Sequence, residues 1–332
     1  MLLKNASRKT FLQLLYIIVL SILAFFKLIA EEKDINIIHC PLLTLVPYFY
    51  QLVDNHFFIF KIATFLLYIF NAILLTYILR KHKLIELHKY YPSFFFLLFG
   101  LFILQTSLFI PFLINSIILI FLIPPLFSIS DKNYNQKNGL VFGFFCGSIM
   151  LLYAPFVFFF LLIYFVFILN GVSTWRTYVI PFLGLLLSYI YFFSALYLAD
   201  YENYSFLLSF YSNQFTIAPF SIDFTNYFQI IIYSCLLLFY LIFFYLLLVK
   251  SNTMSIFIRK KYYFILLYSV FSIIFSYIFS NCCFLGSTIF ITILSTMVGI
   301  YESFIKKRLI YNILILIFLL ALLADYFHFL YA

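Results

Sequence analysis

The residues best suited to chemistry are three carboxylates that follow directly on a long apolar run. Glu31, Glu32 and Asp34 stand in the stretch AEEKDIN, in a chain with only 11 acidic residues. Lys27 lies four residues before Glu31, and Lys61 stands near the start of the next apolar run. A carboxylate can act as general base on a hydroxyl group, and an ammonium group can hold a phosphate. These five residues are therefore the candidate catalytic and lipid-phosphate-binding residues.

The same residues have a plainer explanation. Acidic side chains collect where a membrane helix reaches water, and lysines near a helix end extend their ammonium groups to the interface. Lys27 and Glu31 fall on one face of a helix at this spacing and could pair with each other. The sequence leaves open whether this stretch is a reactive site or only the water-exposed end of a helix.

Composition sets the environment of these residues. The hydrophobic share is 66%, the charged share 9% and the mean hydropathy +1.14, whereas a soluble domain is roughly half apolar and a quarter charged. Lipid must therefore surround most of the chain. The net charge of +9 does not indicate a nucleic-acid partner, because the cations stand in short connectors between apolar runs. Five cysteines and five histidines show no metal-binding spacing, so we expect neither a metal nor a cofactor.

Eleven apolar windows approach the roughly 20 residues that a helix needs to cross the hydrocarbon core. We predict an all-α polytopic membrane helix bundle of about eleven transmembrane helices, forming one transmembrane domain over residues 1–332. Pro111 and Pro155 separate neighbouring windows, which could be tight helical hairpins or single kinked helices. The windows are 11–30, 57–79, 93–110, 112–128, 139–153, 156–169, 178–199, 227–249, 262–280, 284–303 and 309–326.

The positive charges predict the orientation of the bundle. If the N-terminus is inside, 17 of the 20 lysine and arginine residues fall in inner segments, as the positive-inside rule requires. The two long connectors, 31–56 and 200–226, are then both outside. Lys27, Lys61 and the three carboxylates all fall at the outer membrane surface. A cation and a carboxylate at that depth match the needs of an enzyme that uses a polyprenyl-phosphate sugar donor.

Two further motifs concern contacts. GLVFGFFCG places Gly139, Gly143 and Gly147 along one face of a helix, where small residues allow close packing within the chain or between subunits. RKHKLIELHK, residues 80–89, would attract anionic lipid headgroups, although a topology signal explains its charge equally well.

A transporter is the least favoured class. No predicted helix carries a carboxylate at its centre, where pumps and proton-coupled transporters usually need one. The polar side chains that could line a cavity at mid-membrane are few and uncharged, and they include Asn71, Gln105 and Asn115. An odd number of windows without matching halves also weighs against an inverted repeat.

Two resemblances add expectations. Residues 130–184 run from a basic loop through a glycine-bearing helix and a Tyr-Ala-Pro break to STWRTYVIPFLG. This stretch resembles an uncharacterised family of polytopic inner-membrane proteins from Bacteroidota, which implies a multi-pass protein of the bacterial inner membrane. The arrangement of an inner N-terminus, about eleven helices and long outer loops after helices one and seven resembles the C-type membrane glycosyltransferases. That resemblance implies a catalytic carboxylate just beyond the first helix, where Glu31, Glu32 and Asp34 stand.

Two function hypotheses follow. The first is a glycosyltransferase-like enzyme of cell-envelope biogenesis, with Asp34 or Glu31 as the base and Lys27 and Lys61 on the phosphate of a polyprenyl-phosphate lipid. The second is a non-catalytic scaffold or subunit of an envelope complex, with a membrane protein partner. An exposed glycine face would be its signature.

Overall fold

A computed structural model describes residues 2–30, 56–104, 108–130, 136–172, 174–198, 227–278, 285–302, 315–316 and 318–320. This part of the chain contains helices and short connectors and no strand, which confirms the predicted all-α class. A π-helical turn, Ile118–Leu122, joins α4 to α5 without a break. The helices are α1 Leu2–Ala30, α2 Phe57–Lys81, α3 Tyr91–Ile103, α4 Phe109–Ile117, α5 Ile123–Ser130, α6 Gln136–Leu152, α7 Val157–Asn170, α8 Trp175–Leu198, α9 Tyr227–Ser251, α10 Ile256–Ile278 and α11 Leu285–Glu302.

Six helical stretches within the described residues are long and apolar enough to cross a membrane. They contain between 18 and 25 residues each, or about 27–38 Å at 1.5 Å per residue, which matches the hydrocarbon core. The chain is therefore a multi-pass membrane protein with a helical bundle. The six stretches are Gln13–Ala30, Phe57–Lys81, Phe109–Ile129, Trp175–Ala195, Ile230–Ser251 and Leu285–Glu302.

Prolines set two of the helix boundaries. Pro111 stands in the first turn of α4, where a missing N–H leaves no hydrogen bond unmade. Pro155 lies in a 3₁₀ turn between α6 and α7. The start of α6 and the end of α7 lie at the same end of the bundle, so the chain reverses at Pro155. This pair of helices is a tight hairpin rather than one kinked helix.

Helices α3 and α11 form the centre of the bundle. Ten of the 13 residues of α3 are buried, and so are 83% of the residues of α11. The two helices touch where Pro92 of α3 meets Gly299 of α11, and a Cβ on this glycine would lie 2.6 Å from Pro92 Cγ. Helix α1 lies at the periphery, because only 17% of its apolar window is buried. Helix α3 is therefore screened by its neighbours along most of its length.

The basic connectors meet at one end of the bundle. Lys261 Nζ of α10 donates to His82 O after α2 (3.2 Å), and Lys260 Nζ donates to Asn170 O at the end of α7 (3.4 Å). We call this the basic end and the opposite one the far end. The described cations of the basic end are Arg80, Lys81, Lys83, Lys89, Lys137, Arg176, Lys250, Arg259, Lys260 and Lys261.

Candidate functional site

The three candidate catalytic carboxylates, Glu31, Glu32 and Asp34, lie outside the described residues. The same holds for most of the connectors 31–56 and 200–226. Helix α1 ends at Ala30, immediately before the first carboxylate. What the structure describes of the candidate site is the pair of lysines at the far end.

Lys27 caps the carboxyl end of the buried helix α3. Its Nζ donates to Leu101 O at 2.6 Å and to Phe102 O at 3.0 Å. These carbonyl groups belong to the last turn of α3, where a helix offers no N–H partner of its own. A cation here also interacts favourably with the negative end of the helix dipole. The half-buried Lys27 side chain thus has a structural role that its position in α1 alone did not reveal.

Lys61 caps the carboxyl end of α1 in the same way. Its side chain is only 8% exposed, and its Nζ donates to Ile29 O in the last turn of α1 at 3.1 Å. The ammonium also lies 4.7 Å from the centre of the Phe57 ring, within the range of a cation–π interaction. The two lysines therefore gather two positive charges around the last turn of α1, directly before the carboxylate-bearing stretch.

Helix α1 holds α3 at both ends. Gln13 Oε1 accepts a hydrogen bond from Tyr90 N, the residue before α3, at 3.0 Å. Gln13 and Lys27 are separated by about 21 Å along α1, and Tyr90 and Phe102 by about 18 Å, so the polar groups of the two parallel helices match in spacing. A lone glutamine in an apolar run was the sequence signal for this contact, and sequence reasoning missed it.

The capping contacts of Lys27 limit how a ligand can bind to its ammonium group. An ammonium group has three donors, and Lys27 directs two of them at α3 carbonyl oxygens. A phosphate oxygen that binds Lys27 therefore competes with these carbonyl groups or shares the ammonium with them. The binding of a phosphate and the attachment of α1 to α3 are therefore coupled through the Lys27 side chain.

The glycine face is used inside the chain. A Cβ on Gly143 would overlap the Pro181 carbonyl of α8, and one on Gly147 would overlap Ser188 Oγ. Gly184 of α8 packs in return against the backbone of α6. Gly139 is buried as well. The exposed small-residue surface expected for contacts between subunits is thus covered by α8.

The mid-membrane amides form a packed cluster. Asn115 Nδ2 donates to Asn71 Oδ1 (3.0 Å), and Thr292 Oγ1 of α11 donates to Asn115 Oδ1 (3.1 Å). Asn71 Nδ2 also donates to Phe112 O (3.0 Å). All three side chains are buried, so the cluster joins α2, α4 and α11. The candidate Gln105 lies outside the described residues. Sequence reasoning missed Thr292, although threonines spaced by four along α11 were the available signal.

A small cavity lies beside this cluster. Its volume is about 20 Å³, and its lining is apolar apart from Tyr268, Thr292 and Thr296. A cavity of this size holds at most a water molecule. It is too small to form the passage that a transporter would need. Within the described part of the chain, no three histidine, cysteine, aspartate or glutamate residues are placed to bind a metal ion.

No family model, curated protein or solved structure matches the chain. The resemblances to a Bacteroidota family and to the C-type membrane glycosyltransferases therefore stay expectations. The candidate site consists of two capping lysines at the far end, followed in sequence by three carboxylates.

Proposed function

We propose that the chain is a glycosyltransferase-like enzyme of cell-envelope biogenesis in the bacterial inner membrane. In this proposal it has about eleven transmembrane helices and an inner N-terminus. It transfers a sugar from a polyprenyl-phosphate carrier to an acceptor hydroxyl at the outer face. The observation that carries the proposal is the pair of cations, Lys27 and Lys61, around the last turn of α1. They stand immediately before Glu31, Glu32 and Asp34 in the chain.

The orientation is supported by the basic end of the bundle. Alternate connectors that carry lysine and arginine meet there through the hydrogen bonds of Lys260 and Lys261. The positive-inside rule then assigns this end to the cytoplasm and the far end to the outside. In a variant whose five native cysteines are replaced with serine, a single cysteine introduced at His56 should react with a membrane-impermeant maleimide in intact cells. One introduced at His88 should react only after lysis. The reverse labelling pattern would invert the topology and remove the outer-face site.

The reaction needs only groups that this end of the chain supplies. Asp34 or Glu31 accepts the proton of the acceptor hydroxyl while the oxygen of that hydroxyl attacks the anomeric carbon of the sugar. The bond between that carbon and the phosphate oxygen breaks, and polyprenyl phosphate leaves with the electron pair. Lys27 and Lys61 stabilise the phosphate before and after the step. In this scheme the departure of polyprenyl phosphate does not require a metal.

Native mass spectrometry of the gently extracted protein tests the proposal. We expect a polyprenyl-phosphate lipid to stay bound to the wild type and to be lost when Lys27 and Lys61 are both changed to Ala. Gln13→Leu is the matched control, because it loosens the same attachment of α1 to α3 without removing a cation. Loss of the lipid in the control as well would show that the lysines act only through the fold.

A non-catalytic scaffold or subunit is the second proposal. The capping contacts favour it, because ammonium groups that stabilise helix ends at Leu101 and Ile29 need no substrate to explain them. The same spectra separate the two proposals. A stoichiometric protein partner accompanied only by bulk phospholipid would favour the subunit and exclude the catalytic site.

A further inference from the structure

Residues 80–89, the last two residues of α2 and the segment that leads to α3, are folded onto the basic end of the bundle. We call this segment the connector. Leu84 and Ile85 are 2% and 7% exposed, so they pack into the core. Arg80 Nη2 donates to Lys89 O at 3.0 Å, and Lys89 pairs with Glu86 at 2.8 Å. These contacts fix the backbone from which the remaining side chains of the connector project.

One cation of this connector occupies a strained backbone position. Lys83 has a φ of 58°, in the left-handed region that glycine normally fills at the end of a helix. Its N–H donates to Arg80 O (2.9 Å), and the next N–H, of Leu84, donates to Leu79 O (2.9 Å). This hydrogen-bond pattern is the Schellman motif, in which the side chain at the left-handed residue is unfavourable.

The end of α7 provides an internal comparison. Gly171 has a φ of 67°, and its N–H donates to Ile168 O at 3.0 Å. The N–H of Val172 donates to Phe167 O at 3.1 Å, which completes the same motif. Thus α7 ends with the favoured glycine and α2 with a strained lysine. A topology signal needs only positive charge somewhere in the connector, so it does not explain a lysine at this position.

The exposed groups of the connector define the chemistry of a ligand. Lys81 and Lys83 are exposed, and neither is paired with a carboxylate in the part of the chain that the structure describes. Leu87 is 72% exposed in the same connector. Cations beside an exposed apolar side chain at the membrane surface suit a phosphate headgroup with the acyl region of the same lipid.

We propose that this connector is a binding site for an anionic phospholipid of the leaflet at the basic end. Lys81 and Lys83 contact the headgroup phosphate, and Leu87 inserts at the boundary of the acyl chains. Arg80 holds the connector against the start of α3, with its guanidinium 4.0 Å from the centre of the Tyr90 ring. The site lies at the opposite end of the bundle from Lys27 and Lys61 and does not depend on a catalytic function.

The test is a lipid titration of the full-length protein in detergent, followed by native mass spectrometry. Phosphatidylglycerol and phosphatidylcholine with the same acyl chains are compared. We expect the wild type to retain phosphatidylglycerol preferentially. Lys83→Gly should weaken this retention about fivefold, since each basic residue contributes about that factor near an anionic surface. The same variant should melt at a higher temperature, because glycine relieves the strain of the left-handed position.

Two further variants keep the test decisive. Arg176→Ala removes an exposed cation of the basic end outside the connector, and it should leave the lipid preference nearly unchanged. Lys81→Ala should weaken retention without relieving strain. Equal losses in Arg176→Ala and Lys83→Gly would show a general charge effect and overturn the site. Unchanged retention in both connector variants would overturn it too, as would displacement of the lipid by inorganic phosphate at equal concentration.

Discussion

Replacing Lys27 with methionine removes the ammonium that joins α1 to α3 and keeps most of the aliphatic stem. The ammonium donates two hydrogen bonds, to Leu101 O at 2.6 Å and to Phe102 O at 3.0 Å. Hydrogen bonds of charged groups contribute about 1.5–3 kcal/mol each, and a cation at an exposed helix end contributes about 0.3–1 kcal/mol. Because Lys27 is half-buried and water can rebind carbonyl groups at the far end, we expect a loss of about 2 kcal/mol in the free energy of unfolding.

The assay is reversible unfolding in mixed detergent micelles, followed by near-ultraviolet circular dichroism. Gln13→Leu removes one neutral hydrogen bond at the other end of α3 and should lower the free energy by about 1 kcal/mol. The two sites are far apart, so the double variant should show the sum to within about 0.5 kcal/mol. Unfolding of Lys27→Met with the wild-type free energy would show that the capping contacts contribute nothing to stability.

Four other substitutions test the packing and the backbone, by the same unfolding measurement or by the melting temperature. Gly171→Ala should lower the free energy of unfolding by about 1 kcal/mol, because the positive φ is unfavourable for alanine although no atom lies within 4 Å of the added Cβ. Lys83→Gly should raise the free energy of unfolding by about 0.5–1 kcal/mol, because glycine tolerates the positive φ at this position. An unchanged free energy in either would contradict the strain argument. Gly143→Val should separate α6 from α8 and lower the melting temperature more than Gly171→Ala does, because the added side chain meets the backbone of Pro181. Asn115→Leu should cost about 1 kcal/mol by unpairing Asn71 and Thr292, and a neutral result would mean that the amide cluster is not structural.

The sequence was sufficient for the class of fold and for the grouping of its charges. Long apolar windows predict membrane helices from composition alone, and the structure contains six helical stretches that meet the requirements of a span. Pro111 and Pro155 marked real helix boundaries, in the first turn of α4 and in the break between α6 and α7, whereas Pro181 lies inside α8 and marks none. Glycines in α6 indicated a close approach, but their spacing could not identify α8 as the partner.

The contacts of the lysines could not be predicted. In an apolar helix, the position of Lys27 or Lys61 shows that its ammonium must reach a polar group, but water, a phosphate and a carbonyl oxygen satisfy it equally well. The partner depends on where the short helix α3 ends, and an apolar window without strong periodicity does not define that end. Gln13 escaped notice for the same reason, since its partner Tyr90 is 77 residues away in the chain.

The central claim is that the far end handles a polyprenyl-phosphate sugar. The most direct measurement incubates the purified protein in liposomes with a whole-envelope extract of its host, which supplies both the sugar-bearing carrier and the hydroxyl acceptors, and follows polyprenyl-phosphate sugars by mass spectrometry. We predict that the wild type converts a sugar-bearing carrier to free polyprenyl phosphate, and that Asp34→Asn combined with Glu31→Gln abolishes the conversion. An unchanged pool of carriers, or conversion that persists in this double variant, would contradict the account.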